Sequence, residues 1–121
     1  MTEVARTLTD DDLRAFGEWV SKLPPPPPPP GPPDPDRLAR GRALATQRPC
    51  ASCHNPDFSG RDQMPRLAHQ REEYLLTAMR GYRRGTRIGY GGAMAEELVG
   101  LTDTDLQDLA HFLAHLPPPS R

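Results

Sequence analysis

The sequence predicts an all-α protein, on three observations. Apolar residues recur at helical spacing in four separate segments, no stretch alternates as a strand would, and three proline clusters or turns stop the segments cleanly. Ten of the sixteen prolines among the 121 residues lie between Pro24 and Pro35. That stretch cannot enter a core, and it divides the chain. The expected organisation is a helix in residues 1–23, a polyproline II linker in 24–35, a folded domain in 36–117 and a tail in 118–121. A domain of about 85 residues buries a modest share of its surface, so a cofactor or metal is expected to supply part of its core.

The first helix is expected over Leu8–Leu23. Thr9 and Asp12 have the spacing of a capping box, and Leu8 and Leu13 that of a hydrophobic staple. Leu13, Phe16, Val20 and Leu23 form one stripe, with Trp19 beside it, and Pro24 ends the helix. The second helix is expected over about Asp36–Gln47, with Leu38 and Leu44 inward. Gly41, a poor helix former, marks the close approach of another backbone there. Residues 50–65 read as mostly loop because of Pro49, Pro56, Gly60 and Pro65. A third helix over about His69–Arg84 buries Tyr74, Leu75, Ala78 and Tyr82 in this reading. Gly85–Gly92 reads as irregular, and a last helix runs from about Asp103 to Leu116.

An internal repeat links the two ends of the chain. Residues 1–26 align without gaps on residues 94–119 with eleven identities, among them Met1/Met94, Thr9/Thr102, Asp12/Asp105 and Leu23/Leu116. The first helix thus resembles the last one, down to its cap and its upstream methionine.

Charge and cysteine usage exclude several classes. The formal net charge is −1, so bulk attraction to nucleic acid is not expected. No apolar run approaches the roughly 20 residues that span a bilayer. Two cysteines do not make a disulfide scaffold. Arg80, Arg83, Arg84 and Arg87 cluster ahead of an acidic run from Glu96 to Asp108. The expectation is either a solvated surface or a dipolar face that docks a charged partner.

Cys50-Ala51-Ser52-Cys53-His54 is a C-x-x-C-H motif, the attachment signature of c-type haem. Two thiols three positions apart on a tight turn can each add to one vinyl group, and the following imidazole then faces the iron. The alternatives are a redox dithiol, which lacks its βαβ context here, and a zinc module using His111 and His115.

With that motif the chain resembles the class I cytochromes c, and most of all one haem domain of the bacterial two-haem cytochromes c. The resemblance continues through Pro65-Arg66-Leu67-Ala68-His69-Gln70, Glu73-Tyr74-Leu75, Gly85-Thr86-Arg87, Met94 and Leu101-Thr102-Asp103, covering about Arg37–Leu116. It implies a small helical fold wrapped around one haem c, with first and last helices crossing near Gly41 and Phe112. It also implies one-electron transfer with His54 and Met94 as axial ligands. Met94 lies in a glycine-flanked stretch just before the last helix, whereas Met64 and Met79 are read as packing. By the same resemblance the Pro65 carbonyl orients His54, Leu67 and Leu75 line the haem, Tyr74 belongs to the haem-side core with its hydroxyl satisfied, and Arg87 or Tyr82 reaches a propionate. His69 stands where the family has glycine, which puts the local backbone in question.

The implied role is that of an electron carrier rather than an enzyme, in the periplasm of a bacterial cell envelope. Its partners would be a dehydrogenase, an oxidase or another cytochrome. The alternatives are an electron-accepting domain of a larger oxidoreductase and, with Met94 unbound, an iron that turns over peroxide or binds small gases. The repeat adds one more expectation: an N-terminal haem domain, closed by Leu8–Leu23, would precede this chain in a longer two-haem protein.

Overall fold

The computed structural model describes residues 2–88 and 92–117. Seven helices follow one another among them: α1 (Thr2–Ala5), α2 (Asp10–Ser21), α3 (Pro35–Gln47), α4 (Cys50–His54), α5 (Glu72–Arg84), α6 (Ala93–Glu97) and α7 (Asp103–Ala114). No strand occurs among the described residues beyond an isolated bridge between Arg61 and Met64. The one-turn helices α1, α4 and α6 are not expected from the sequence. Met1, Gly89–Gly91 and the tail from 118 onward lie outside the described residues.

Helices α2 and α7 start where their caps predict, whereas α5 starts at Glu72, three residues later than expected and without a side-chain cap. Thr9 accepts the Asp12 N–H while Asp12 Oδ2 accepts the Thr9 N–H at 2.8 Å, a complete capping box. Thr102 and Asp105 repeat it on α7, again at 2.8 Å. Asp34 caps α3 by accepting the Asp36 and Arg37 N–H groups, with Pro35 at the first helical position. Gly85, at φ 70°, closes α5.

Packing centres on α7, which crosses α3 and also lies along α5. The α3–α7 crossing is possible because residue 41 has no side chain. A Cβ there would run into the Asp108 carbonyl and sit 2.6 Å from Phe112 Cβ. Leu106, Leu109, Ala110, Phe112 and Leu113 of α7 meet Ala45, Phe58, Ala68, Leu75, Met79, Leu98 and Leu101 in one cluster. Asp108, also buried, is neutralised by Arg40 at 2.6 Å and by Arg37 at 3.5 Å. Arg37 also bonds Glu72 at 2.6 Å, and Glu72 in turn accepts from His111 Nδ1 at 2.9 Å. His111 Nε2 accepts the Asp34 N–H at 3.0 Å, which ties the end of the linker to the core.

The third helix departs from its predicted inner face. Leu75 and Met79 are buried, but Tyr74 is half exposed. Leu75 and Met79, one turn apart, set the inner face, and Tyr74, about 100° round the helix from Leu75, falls at its outer edge. The Tyr74 hydroxyl accepts from Arg87 Nη2 at 3.2 Å instead. Among the described residues no helix is long and apolar enough to cross a membrane.

Candidate functional site

The Cys50–His54 motif folds as one helical turn, α4, directly after α3. Arg48 leaves the helical region at φ −107°, ψ 149°, and Pro49 starts the new turn. Cys50 is half-buried and Cys53 exposed, both as free thiols. Burial pushes the Cys50 thiol up from its ordinary value. His54 is 4% exposed. Its Nδ1–H donates to the Pro65 carbonyl at 2.9 Å, which leaves Nε2 as the basic nitrogen. Among the described residues the Pro65 bond is the one side-chain hydrogen bond of His54.

The loop from Asn55 to Ala68 places that carbonyl. The Gly60 N–H donates to the His54 carbonyl at 3.0 Å, and Asn55 Nδ2 donates to the Gly60 carbonyl at 2.8 Å. The Phe58 carbonyl accepts both the Leu67 and Ala68 N–H groups. A Cβ on Gly60 would lie 2.6–2.7 Å from Met64 O, Arg66 N and Pro65 C, so only glycine lets the two limbs close. Gly60 is a site residue that sequence reasoning misses, since a glycine in a loop carries no sign of which backbone it must admit.

His69 resolves the question left by the missing glycine. It adopts the left-handed conformation itself, at φ 62°. Two bonds offset that strain: its N–H donates to the Leu113 carbonyl and its Nε2–H to the Leu116 carbonyl, both at 3.0 Å. The backbone shape of the run is kept, and the ring serves the end of α7.

Met94 lies on α6 rather than in irregular loop, and packs partly buried against the core cluster. Met79 is fully inside that cluster, and Met64 sits at the surface. Leu67 is half-buried against the same cluster. Arg87 stacks over Tyr74 and Tyr82, its guanidinium carbon 5.7 and 5.3 Å from the ring centres. Arg80 and Arg83 are engaged inward: both reach Asp103, and Arg83 also donates to the Leu101 carbonyl at 3.0 Å. The arginine cluster is therefore largely structural, with Arg84 left exposed.

The residues present fit a covalently attached haem. Two thiols on one turn, a buried imidazole with Nε2 free, and an apolar cluster that includes a thioether are the donor set and surroundings such a group requires. They do not fit the zinc alternative. Among the described residues His111 and His115 group with Glu72 and not with the cysteines, and Arg37 already occupies that carboxylate.

A family model described as Cytochrome c matches residues 38–117. Cytochrome c4 of Azotobacter vinelandii is 36% identical over 77 residues, covering 57% of this chain and 37% of that protein. Cytochrome c-552 of Acidithiobacillus ferridurans is 26% identical over 123 aligned positions, covering 96% of this chain and 52% of that one. The chain thus spans about half or less of the length of these relatives. The crystal structure of reduced recombinant cytochrome c4 from Pseudomonas stutzeri superposes with a TM-score of 0.81 at 25% identity, over 97% of this chain and 66% of that one.

Proposed function

The chain belongs to the cytochrome c family, and from that premise we propose that it passes single electrons through a haem c bonded to Cys50 and Cys53, with His54 and Met94 as axial ligands. The observation that carries the reading is the His54–Pro65 bond on the attachment turn. It fixes the tautomer and aims the imidazole before any ligand is met. When bound, the iron supplies a one-electron couple, and a thioether ligand favours its reduced state. The protein's own share is to orient His54, to present the Met94 sulfur from α6, and to exclude water with Leu75, Met79 and Leu98. A site closed by two side-chain ligands leaves no position for a substrate.

We place the protein in the bacterial periplasm, where c-type haem is attached. Its partners in this reading are redox proteins: a dehydrogenase, an oxidase or another cytochrome. The partner of α2 in the reading is an opening helix of a second haem domain. Support comes from the repeated capping box, from the exposed stripe of α2, and from the likeness to cytochrome c4 along nearly the whole chain.

Spectra of periplasmically matured protein test the central claim. The wild type is expected to give a haemochrome of thioether-linked haem and a weak far-red band from methionine ligation. Met94→Ala is expected to lose that band and to bind carbon monoxide when reduced. A band that survives in Met94→Ala would move the ligand to Met64 or Met79.

A further inference from the structure

We propose that Arg48 is a positioning residue that ties the segment carrying Met94 to the haem-attachment turn. The inference rests on the reading of Met94 as a ligand and goes beyond it, since it names what holds that ligand in place.

Arg48 is the C-terminal cap of α3, two residues before Cys50. Its Nη1 donates to the Glu97 carbonyl at 3.2 Å and its Nη2 to the Val99 carbonyl at 3.0 Å. Glu97 ends α6, so the guanidinium grips the carbonyl end of the helix that bears Met94. One side chain therefore spans from the residues that fix the proximal ligand to those that carry the distal one.

The need for such an anchor follows from α6 itself. It has five residues, a Gly92 cap at φ 79°, and no side-chain bond at its N-terminus. A single turn of that kind does not persist on its own intrinsic stability. What holds it lies around it: Leu98 and Leu101 in the core, Arg48 from the attachment side, and Arg83 on the Leu101 carbonyl from α5. Leu98 and Leu101 resist withdrawal of the segment from the core. Only Arg48, among these, references it to the cysteine turn.

A neutral thioether is a weak ligand, so external ligands compete with it whenever α6 swings away. Their apparent affinity scales with the fraction of molecules in which the segment is open. Losing two charge-assisted bonds in a partly exposed setting should raise that fraction about tenfold, equivalent to about 1.4 kcal/mol.

The test uses the full haem-loaded chain as wild type, Arg48→Ala and Arg48→Lys. Imidazole is titrated into the ferric form while the far-red band is followed, and amide exchange is measured over residues 97–101. Arg48→Ala is expected to bind imidazole about tenfold more tightly and to exchange faster at those amides. Arg48→Lys, whose ammonium can serve one carbonyl at a time, is expected to fall between, and it carries the test if the alanine variant does not fold. Imidazole affinity within twofold of wild type in both variants overturns the proposal. If the wild type has no far-red band, the ligand reading fails instead. The exchange data then decide the tether alone, faster exchange supporting it and unchanged exchange overturning it.

Discussion

Helices α2 and α7 share one length, one cap and one apolar stripe in two settings. Each has twelve residues, the same threonine–aspartate box and nearly the same cap angles, φ −81°, ψ 165° against φ −77°, ψ 168°. Their burial is opposite. Phe16 and Trp19 are 55% and 63% exposed, while the aligned Leu109 and Phe112 are 4% and 5% exposed. Local sequence alone therefore starts and stops the helix. Whether its apolar stripe becomes a core depends on a partner, and only α7 has a helix with a gap at residue 41 to receive it. The charges differ in the same way. α2 pairs its acids within itself, Asp11 with Arg14 and Glu18 with Lys22. Asp103 and Asp108 of α7 pair with arginines from α5 and α3.

The largest test of that contrast is to fill the gap. Gly41→Val places a branched side chain where a single Cβ already meets the Asp108 carbonyl and Phe112. Overpacking against backbone cannot be relieved by a rotamer change, and a cost of about 3 kcal/mol is expected. That is a large part of the stability of a small domain. Denaturation followed at the Soret band should shift strongly toward lower denaturant. Fluorescence of Trp19, the single tryptophan, should show α2 unchanged. A wild-type midpoint in Gly41→Val would mean that the two helices do not cross this closely in solution.

A smaller effect separates the caps. Thr102→Ala removes the acceptor for the Asp105 N–H from a helix built into the core, and about 1 kcal/mol of global stability should go with it. Thr9→Ala breaks the same bond on α2. There the loss should appear only as fraying of α2 by circular dichroism, with the midpoint of the haem domain unmoved. Equal shifts from the two substitutions would show that α2 is coupled to the core after all.

What the sequence makes legible divides along the same line. Caps, stop signals and the C-x-x-C-H turn depend on neighbours within a few residues, so α2, α3, α7 and the attachment turn can be read directly, whereas the Pro65 anchor of His54, eleven residues on, is implied only by the family resemblance. The Gly41 contact can also be read directly, because a glycine in mid-helix costs stability that a close backbone approach returns. The inward face of α5 differs from expectation at Tyr74, because an aromatic next to a leucine fits either side of a short stripe. The helical turn at Met94 is not legible because part of what holds it is remote: Arg48 and Arg83 come from two other parts of the chain, and only Leu98 is its neighbour. His111 reads as a surface residue by its alignment with Glu18. It is buried because Glu72 and Asp34 satisfy both ring nitrogens, and neither is near it in sequence.

The smallest effect expected is in the acid limb of stability, and it distinguishes the cap carboxylates from the cross-helix one. Asp12 and Asp105 are both held below the ordinary aspartate value by hydrogen bonds from their threonines. The main cause is the same and local, so the two should titrate close together by NMR although one helix is buried and the other is not, with Asp105 the lower because Arg48 also acts on it. Asp103 should stay ionised to still lower pH, because the Arg80 guanidinium bonds it, with Gln107 and Arg83 adding to the effect. A depressed folded-state value means that the unfolded chain binds the proton first. The stabilisation is therefore complete above the unfolded aspartate value of about 3.9 and is lost as pH falls below it toward the folded value. Asp103→Asn should flatten that part of the acid-unfolding curve of the haem domain. Asp11→Asn, which removes a pair confined to exposed α2, should leave it unchanged because such pairs contribute little. If Asp103 titrates together with Asp12, the Arg80 bond does not persist in solution, and α7 is held to α5 by its apolar contacts and the His111–Glu72 bond.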